Sequence, residues 1–372
     1  MNMTHAAGDD IVALLKDSFE RYAAEQYGFK QRWAVLEEPV RYSAKAWSDY
    51  AEMGLLAARL PEAYGGIEAD ARATGAVMET VGARLLMEPI LASALLGTGL
   101  ILNAASEAQQ AALLPGLADG SLKLAFGHAE SIQAGTEIAV QSACRGGRLC
   151  GRKIALLHGD CADRIVVSAL DAVGHPGLYM VDAAAPGVRR EVLSLLDGRG
   201  AANLYFEHAP AERLGAAHTD HSGAISLALD EAAVALCSEA YGAIRVLNET
   251  TTAYLKVRVQ FGSPIGANQA LQHRMVDMYV LQQEVRALTL SAQQALHLPE
   301  RARARRVSGA RAYICGAARK IAAEAVQLHG GMGVTDELDV SHYYRRLMVI
   351  GNLFGNRDYH LARFSGAAPS TH

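Results

Sequence analysis

Two segments combine a fixed cation with backbone donors. Arg258 opens RVQFGSP where a long helical pattern ends, and QLHGG, Gln327 to Gly331, closes another helix with the pair Gly330–Gly331. A guanidinium and N–H groups with no Cβ in front of them are what a pyrophosphate asks for. The same residues also read as ordinary helix ends, with arginine favoured in a last turn and a glycine pair as a C-cap. Carboxylates that could take a proton stand at Glu231 and, two turns further along the same helical pattern, at Glu239; a solvated or salt-bridged helix residue is the alternative for each. One stretch is defined by the chemistry it lacks. LMVIGNLFGN, Leu347 to Asn356, has no ionisable side chain, although Arg345 and Arg346 precede it and Arg357 and Asp358 follow. HTDH, His218 to His221, sits in a polar, turn-like segment with no second ligand pair, so it reads as a surface loop and no metal is expected.

The elements that must position these residues follow from periodicity. From Asp10 to about Leu113 apolar residues recur at helical spacing, as in IVALLKDSF and AVMETVGARLL, broken by turns such as LPEAYGG. Between about Gly120 and His218 the texture changes to short β-branched runs, IAVQ, RIVVSAL and LYMVD, separated by Gly, Asp and Pro. After Ser222 long Ala-rich helical patterns return and run to the end. The reading is an α+β chain of three domains: an N-terminal helical domain over 1–118, an antiparallel β-domain, sheet or barrel, over 119–220, and a C-terminal helix bundle over 221–372. The basic cluster PERARARRVSGAR, Pro299 to Arg311, reads most simply as a loop and helix start with a solvated face; a docking surface for a redox partner or an acidic subunit is the alternative.

Bulk properties exclude several classes. With 372 residues, 51% of them hydrophobic, the chain can bury a large core. The net charge of -4 and pI near 6.4 come from interspersed charges, which argues against nucleic acid as a partner. MNMTHAAGDD lacks the basic and apolar regions of a secretory signal, and no apolar run reaches the roughly 18 residues of a membrane span, so a cytoplasmic protein is expected. Five cysteines show neither a CxxC pair nor a disulfide-framework spacing and read as reduced, mostly buried thiols.

LPEAYGG at Leu60 to Gly66, RVQFGSPIGANQALQHRMVDM at Arg258 to Met278 and QLHGGMGVTDELDVSHYYRR at Gln327 to Arg346 together resemble the acyl-CoA dehydrogenase family, and the order of helices, β-module and helices matches over essentially the whole chain. The resemblance implies a middle antiparallel β-barrel, a C-terminal four-helix bundle, FAD as cofactor, α,β-dehydrogenation of an acyl-CoA thioester and an electron-transferring flavoprotein as acceptor. Arg258, Gln260 and Phe261 match the family's pyrophosphate and adenine contacts, and the resemblance implies an oligomer, a dimer of dimers, because the remaining contacts cross a dimer interface. Gln269, Gln327, Gly330 and Gly331 match the remaining contacts, which reach a neighbour's flavin.

Against that pattern the chemistry is eroded. The α-proton is usually taken by a Glu followed by Gly and Thr; those positions fall on Phe354, Gly355 and Asn356, with Asn356 carried over as a cofactor contact. The family's other base position falls on Ala232, leaving Glu231 and Glu239 as candidates for a displaced base. Where the family has Thr-Glu-Pro and a Gly-Ser-Asp turn, AFGHAESIQAGTE keeps only Glu130. Its Trp-Ile-Thr is replaced by Ala155, Leu156 and Leu157, whose backbone N–H groups, or the side chains of His128 and His158, would have to serve the flavin instead. Contacts to a neighbour's flavin are kept while the base is lost. This resembles the small-subunit branch of heteromeric bacterial acyl-CoA dehydrogenases, in which a partner chain brings the base. Alternatives are a homo-oligomer with a relocated Glu, a flavin oxygenase or oxidase relative, and an inactive CoA-ester-binding or assembly subunit.

Overall fold

The computed structural model describes residues 3–131 and 140–366, with side chains from Ala13 onward. In chain order the first helices are α1 (Met3–Gln26), α2 (Phe29–Glu37), α3 (Ala44–Glu52), α4 (Ala71–Arg84), α5 (Thr98–Ala104) and α6 (Glu107–Ala118). Local chemistry sets several of their ends. Ser43 caps α3 by accepting the Ala46 N–H, and Ser106 with Gln109 forms a capping box at α6. In LPEAYGG the chain makes a single 3₁₀ turn, Glu62–Tyr64, closed by Gly65 at φ +78°. The next glycine is there for space: a Cβ on Gly66 would lie 1.9 Å from the Leu60 carbonyl oxygen.

The strands are β1 (Leu124–Gly127), β2 (Ala143–Arg145), β3 (Arg148–Leu157), β4 (Arg164–Leu170), β5 (Pro176–Asp182), β6 (Val188–Ser194), β7 (Gly200–Pro210) and β8 (Glu212–Arg213). They form one sheet in the order β6-β7-β3-β2-β4-β5-β8, with β1 also paired to β4. The expected closed antiparallel barrel is corrected to an open, mixed sheet: β6 and β8 end the path, and β1 and β2 both run parallel to β4. Short runs at ten-residue spacing suggested hairpins only, but β1 and β2 run in the same direction as β4 and are its parallel neighbours. Two of the expected runs fall in β4 and β5, while IAVQ lies partly on Ile138 and Ala139, outside the described residues. The sheet's core is a single apolar cluster including Leu149, Ile165, Val167, Tyr179, Val181, Leu204 and Phe206.

The remaining elements are α7 (Ser222–Val257), the hairpin β9 (Val259–Gln260) and β10 (Ser263–Pro264), α8 (Gln269–Ala295), α9 (Glu300–His329), α10 (Asp339–Ile350) and α11 (Arg357–Ser365). The C-terminal bundle is therefore four helices of twelve or more residues plus the nine-residue α11.

Two compact units emerge. One contains Met1–Arg32, Ala71–Leu86 and Ala233–Ala368; the other contains Trp33–Asp70 and Met87–Ala232. In the first, small residues let helices approach closely. Ala233, Val234, Ala292, Ala295, Val307 and Ala310 form an apolar cluster from α7, α8 and α9. At the crossing of α4 and α7 each helix offers a glycine to the other: a Cβ on Gly82 would lie 1.9 Å from the Glu239 carbonyl oxygen, and one on Gly242 equally close to that of Glu79.

Candidate active site

The hairpin after α7 is a two-residue turn. Phe261 and Gly262 both have positive φ, +52° and +84°, and β9 pairs with β10 on either side of them, which is the handedness two-residue hairpins favour. The turn leaves Phe261 fully exposed, and Arg258, Gln260 and Gln269 are exposed as well. The Gln260 side chain donates to its neighbour's carbonyl, Val259 O at 2.9 Å, and among the described residues Arg258 makes no ion pair. Asn268, which the sequence reading did not single out, caps α8 by accepting the Ala270 N–H.

The QLHGG loop belongs to the same end of the bundle. Tyr254, one turn before Arg258, stacks on His329 with ring centroids 4.3 Å apart and donates to the His329 carbonyl at 3.4 Å. His329 is buried and its Nδ1 lies 2.8 Å from Ala325 O, so it braces the loop from inside. Gly330 takes φ +60° and ψ -142°, a conformation reserved for glycine, and a Cβ on Gly330 or Gly331 would meet no atom within 4 Å. Gln327 is exposed beside them. An unpaired arginine, an exposed aromatic ring and open glycine backbone fit the pyrophosphate and adenosine of FAD, and they present themselves outward.

The base positions are different in kind. Phe354 is half-buried at φ +53°, a left-handed conformation that a bulky residue adopts only under constraint, and Gly355 follows at φ +107°. A Cβ on Gly355 would lie 2.3 Å from Tyr359 Cδ1. Asn356 is committed as the N-cap of α11, accepting the Tyr359 N–H at 2.9 Å. From α9 the fully buried Arg311 donates to Ile350 O and to Leu353 O, the latter at 3.3 Å, and so holds the end of α10 and the turn after it. LMVIGNLFGN is pinned through its carbonyls.

Neither candidate carboxylate is free. Glu239 and Arg346 are each 0% exposed, and Arg346 Nη1 donates to Glu239 Oε1 at 2.8 Å. The other arm of Arg346 reaches Leu85 O and Leu86 O, at 3.2 and 2.9 Å, beyond the last turn of α4. Glu231 is ion-paired with Arg59, whose second arm donates to Leu95 O at 2.9 Å, and Ala232 beside it is buried. One oxygen of Glu231, Oε2, makes no hydrogen bond.

In the β-unit the groups that were to serve a flavin are engaged internally. Lys153, fully buried, donates to Glu130 Oε1 at 2.5 Å, to His128 O at 3.1 Å and to Ser168 Oγ at 3.2 Å. Burial pushes the Lys153 ammonium down to about 8 despite Glu130. Burial raises the Glu130 carboxyl, but the charge and hydrogen bond of Lys153 and the N–H groups of Ser142 and Gln141 hold it below its usual value. The His128 ring pairs with Ser168 Oγ at 2.9 Å, and burial, with Lys153 nearby, lowers it to about 4. The Ala155 N–H is taken by Asn203 Oδ1 at 2.9 Å, Leu156 and Leu157 are paired with β7, and the His158 N–H goes to Gly200 O. The free backbone donor expected at Ala155 is therefore absent. Of HTDH, His218 is an exposed partner of Asp171, but His221 is buried and accepts the Leu178 N–H at 3.0 Å, so the segment is more than surface loop.

Arg346, Arg311, Arg59 and Lys153 are the residues that organise these regions, and the sequence reading gave none of them that role. Their partners lie 23 to 172 positions away for the ion pairs, which no local spacing displays.

Comparison with known proteins agrees with this architecture. Residues 12–121 match the N-terminal domain model of acyl-CoA dehydrogenases and residues 223–366 the C-terminal domain model. The chain is 28% identical over 337 residues to acyl-CoA dehydrogenase IpdE2 of Mycobacterium tuberculosis, covering 90% of this chain and 89% of that protein. Among solved structures it is similar to a steroid acyl-CoA dehydrogenase, a Tcur3481-Tcur3483 variant, at 26% identity and TM-score 0.87, over 96% of this chain and 98% of that one. It shares the fold of the ChsE4-ChsE5 complex from Mycobacterium tuberculosis, at 22% identity and TM-score 0.86, over 95% and 96% of the two chains. No helix among the described residues is long and apolar enough to cross a membrane. With both terminal domain models matched around a central sheet, the chain belongs to the acyl-CoA dehydrogenase family, FAD-dependent oxidoreductases acting on acyl-CoA.

Proposed function

We propose that this chain is one subunit of a heteromeric acyl-CoA dehydrogenase, in which Arg258, Gln260, Phe261, Gln269, Gln327, Gly330 and Gly331 grip the nucleotide end of FAD at an interface while a partner chain supplies the catalytic carboxylate. The observation that carries this is that both candidate carboxylates are held in ion pairs. Glu239 is sealed against Arg346 and Glu231 is paired with Arg59, while the sequence resemblance puts Phe354 and Ala232 at the two positions from which the family draws its base.

FAD, when bound, accepts the hydride that leaves the β-carbon of the thioester. This chain's part is binding and orientation: the Arg258 guanidinium neutralises the pyrophosphate, Phe261 covers the adenosine, and the open backbone at Gly330–Gly331 donates without steric hindrance. The names of two structural neighbours, a two-gene steroid enzyme and a two-chain complex, support the heteromer and favour a steroid-derived CoA ester as substrate. An electron-transferring flavoprotein as acceptor, a cytoplasmic location and the division into 1–118, 119–220 and 221–372 belong to the same reading.

A second reading, with Glu231 as a relocated base, has one observation in its favour, the Oε2 atom with no hydrogen bond. Turnover of the assembled enzyme separates the two. Glu231→Gln in this chain should change kcat by less than about 3-fold, whereas Glu→Gln at the partner's base should cost on the order of 10³-fold or more. The reverse pattern would assign the base to Glu231.

A further inference from the structure

A groove of about 1140 Å³ runs along α9 between α8 and α11. Its floor is built from small and apolar residues, among them Leu288, Ala302, Gly309, Ala312 and Gly316. From Glu300 to Lys320 the groove follows about 30 Å of helix, at about 1.5 Å per residue. The lining includes Arg301, Arg305, Arg306, Lys320 and Arg357 and no Asp or Glu. All five cations are exposed, and among the described residues none of them makes an ion pair; Arg305 only lies over the Phe364 ring, 5.2 Å from its centroid. Glu284 accepts the Tyr313 hydroxyl. Tyr313, Leu361 and Phe364 are exposed apolar surface on the same face, each 40% exposed or more.

A floor of small residues lets a helix approach closely, and cations spread along its length call for carboxylates spread likewise. A small polyanion would want them converging on one point. A second copy of this chain laid symmetrically on the groove would set the same five cations against themselves. We propose that the α9 groove receives an acidic, amphipathic helix of a different polypeptide, the partner subunit of the heteromeric reading on which this inference rests.

The test uses this chain co-expressed with an acyl-CoA dehydrogenase chain that carries the Glu-Gly-Thr base motif, followed by sedimentation velocity and hydrogen–deuterium exchange. The heteromer should protect 301–320, dissociate more readily as salt rises, and be weakened about 100-fold by Arg305→Glu with Arg306→Glu and Lys320→Glu, while the triple Arg305→Lys, Arg306→Lys, Lys320→Arg variant assembles as the parent does. These side chains are on the surface, so the lone triple-Glu variant should melt with the parent. A heteromer that leaves 301–320 unprotected and ignores charge reversal overturns the groove but leaves the heteromeric reading standing. A pair that does not form, or a lone chain that turns over and self-associates through 301–320, overturns both.

Discussion

The Arg258 hairpin and the Leu347–Asn356 stretch belong to the same compact unit and could hardly be built more differently. The hairpin ends in an exposed phenylalanine and an arginine with no ion pair, whereas the stretch is pinned by Arg311, closed by Gly355 on the Tyr359 ring and capped by Asn356. A surface phenylalanine and an unpaired guanidinium gain little within a lone chain, so their placement is explained by something that arrives from outside. The base region is complete within itself. On the proposed reading, this chain keeps what it would offer to a neighbour and holds the positions expected for the base in internal contacts.

The comparison breaks most visibly at the sealed pair. Glu239→Gln removes a buried charge from beside the Arg346 guanidinium and should cost about 3–5 kcal/mol in a denaturant melt, with Glu239→Gln/Arg346→Met recovering much of it. A loss below about 1 kcal/mol would show that the carboxylate is free enough for chemistry.

Acid should also find the buried groups. His128 is lowered from its ordinary value to about 4, so the unfolded chain binds a proton that the folded chain refuses between about pH 6.5 and 4. Stability therefore rises with pH across that window and is lost on acidification, by up to about 3 kcal/mol for this one group. Glu130 acts in the same sense at lower pH, its folded value being depressed, and His342, lowered by burial to about 4, adds to the His128 window. Lys153, lowered to about 8, makes stability climb again between about pH 8 and 10.5. His128→Gln should flatten the slope between pH 6.5 and 4 in melts monitored by circular dichroism; an unchanged slope would place the protonation elsewhere.

Gly355→Ala should cost about 1–3 kcal/mol, from a left-handed φ of +107° and a Cβ that would lie 2.3 Å from Tyr359, and it should lower the melting temperature measurably. Phe261→Ala is the smallest effect on the isolated chain, within about 0.5 kcal/mol, because the ring is fully exposed. It sharpens the comparison because flavin retention by the assembled enzyme should fall while the lone chain's melt does not move.

Much of this was readable in the sequence. Ala-rich 3.6-residue periodicity marked the helices, and the glycine pair of QLHGG marked the end of α9, because helix periodicity and glycine caps are local events. The sheet was less readable, since alternation does not encode whether a strand's neighbour runs parallel or antiparallel, and β1 and β2 both pair parallel with β4. Least readable were the ion pairs. Glu239 meets Arg346 from 107 positions away, and a lone Glu on a helix looks the same whether it faces solvent, substrate or a buried guanidinium.

The most direct measurement is the visible spectrum near 450 nm, the flavin band the family's cofactor requires, of the protein purified alone and again co-expressed with a base-carrying partner chain. The account predicts little flavin on the lone chain, and flavin that bleaches with an acyl-CoA only in the pair. A lone chain that is yellow and bleaches with substrate would contradict it and return the search for the base to Glu231.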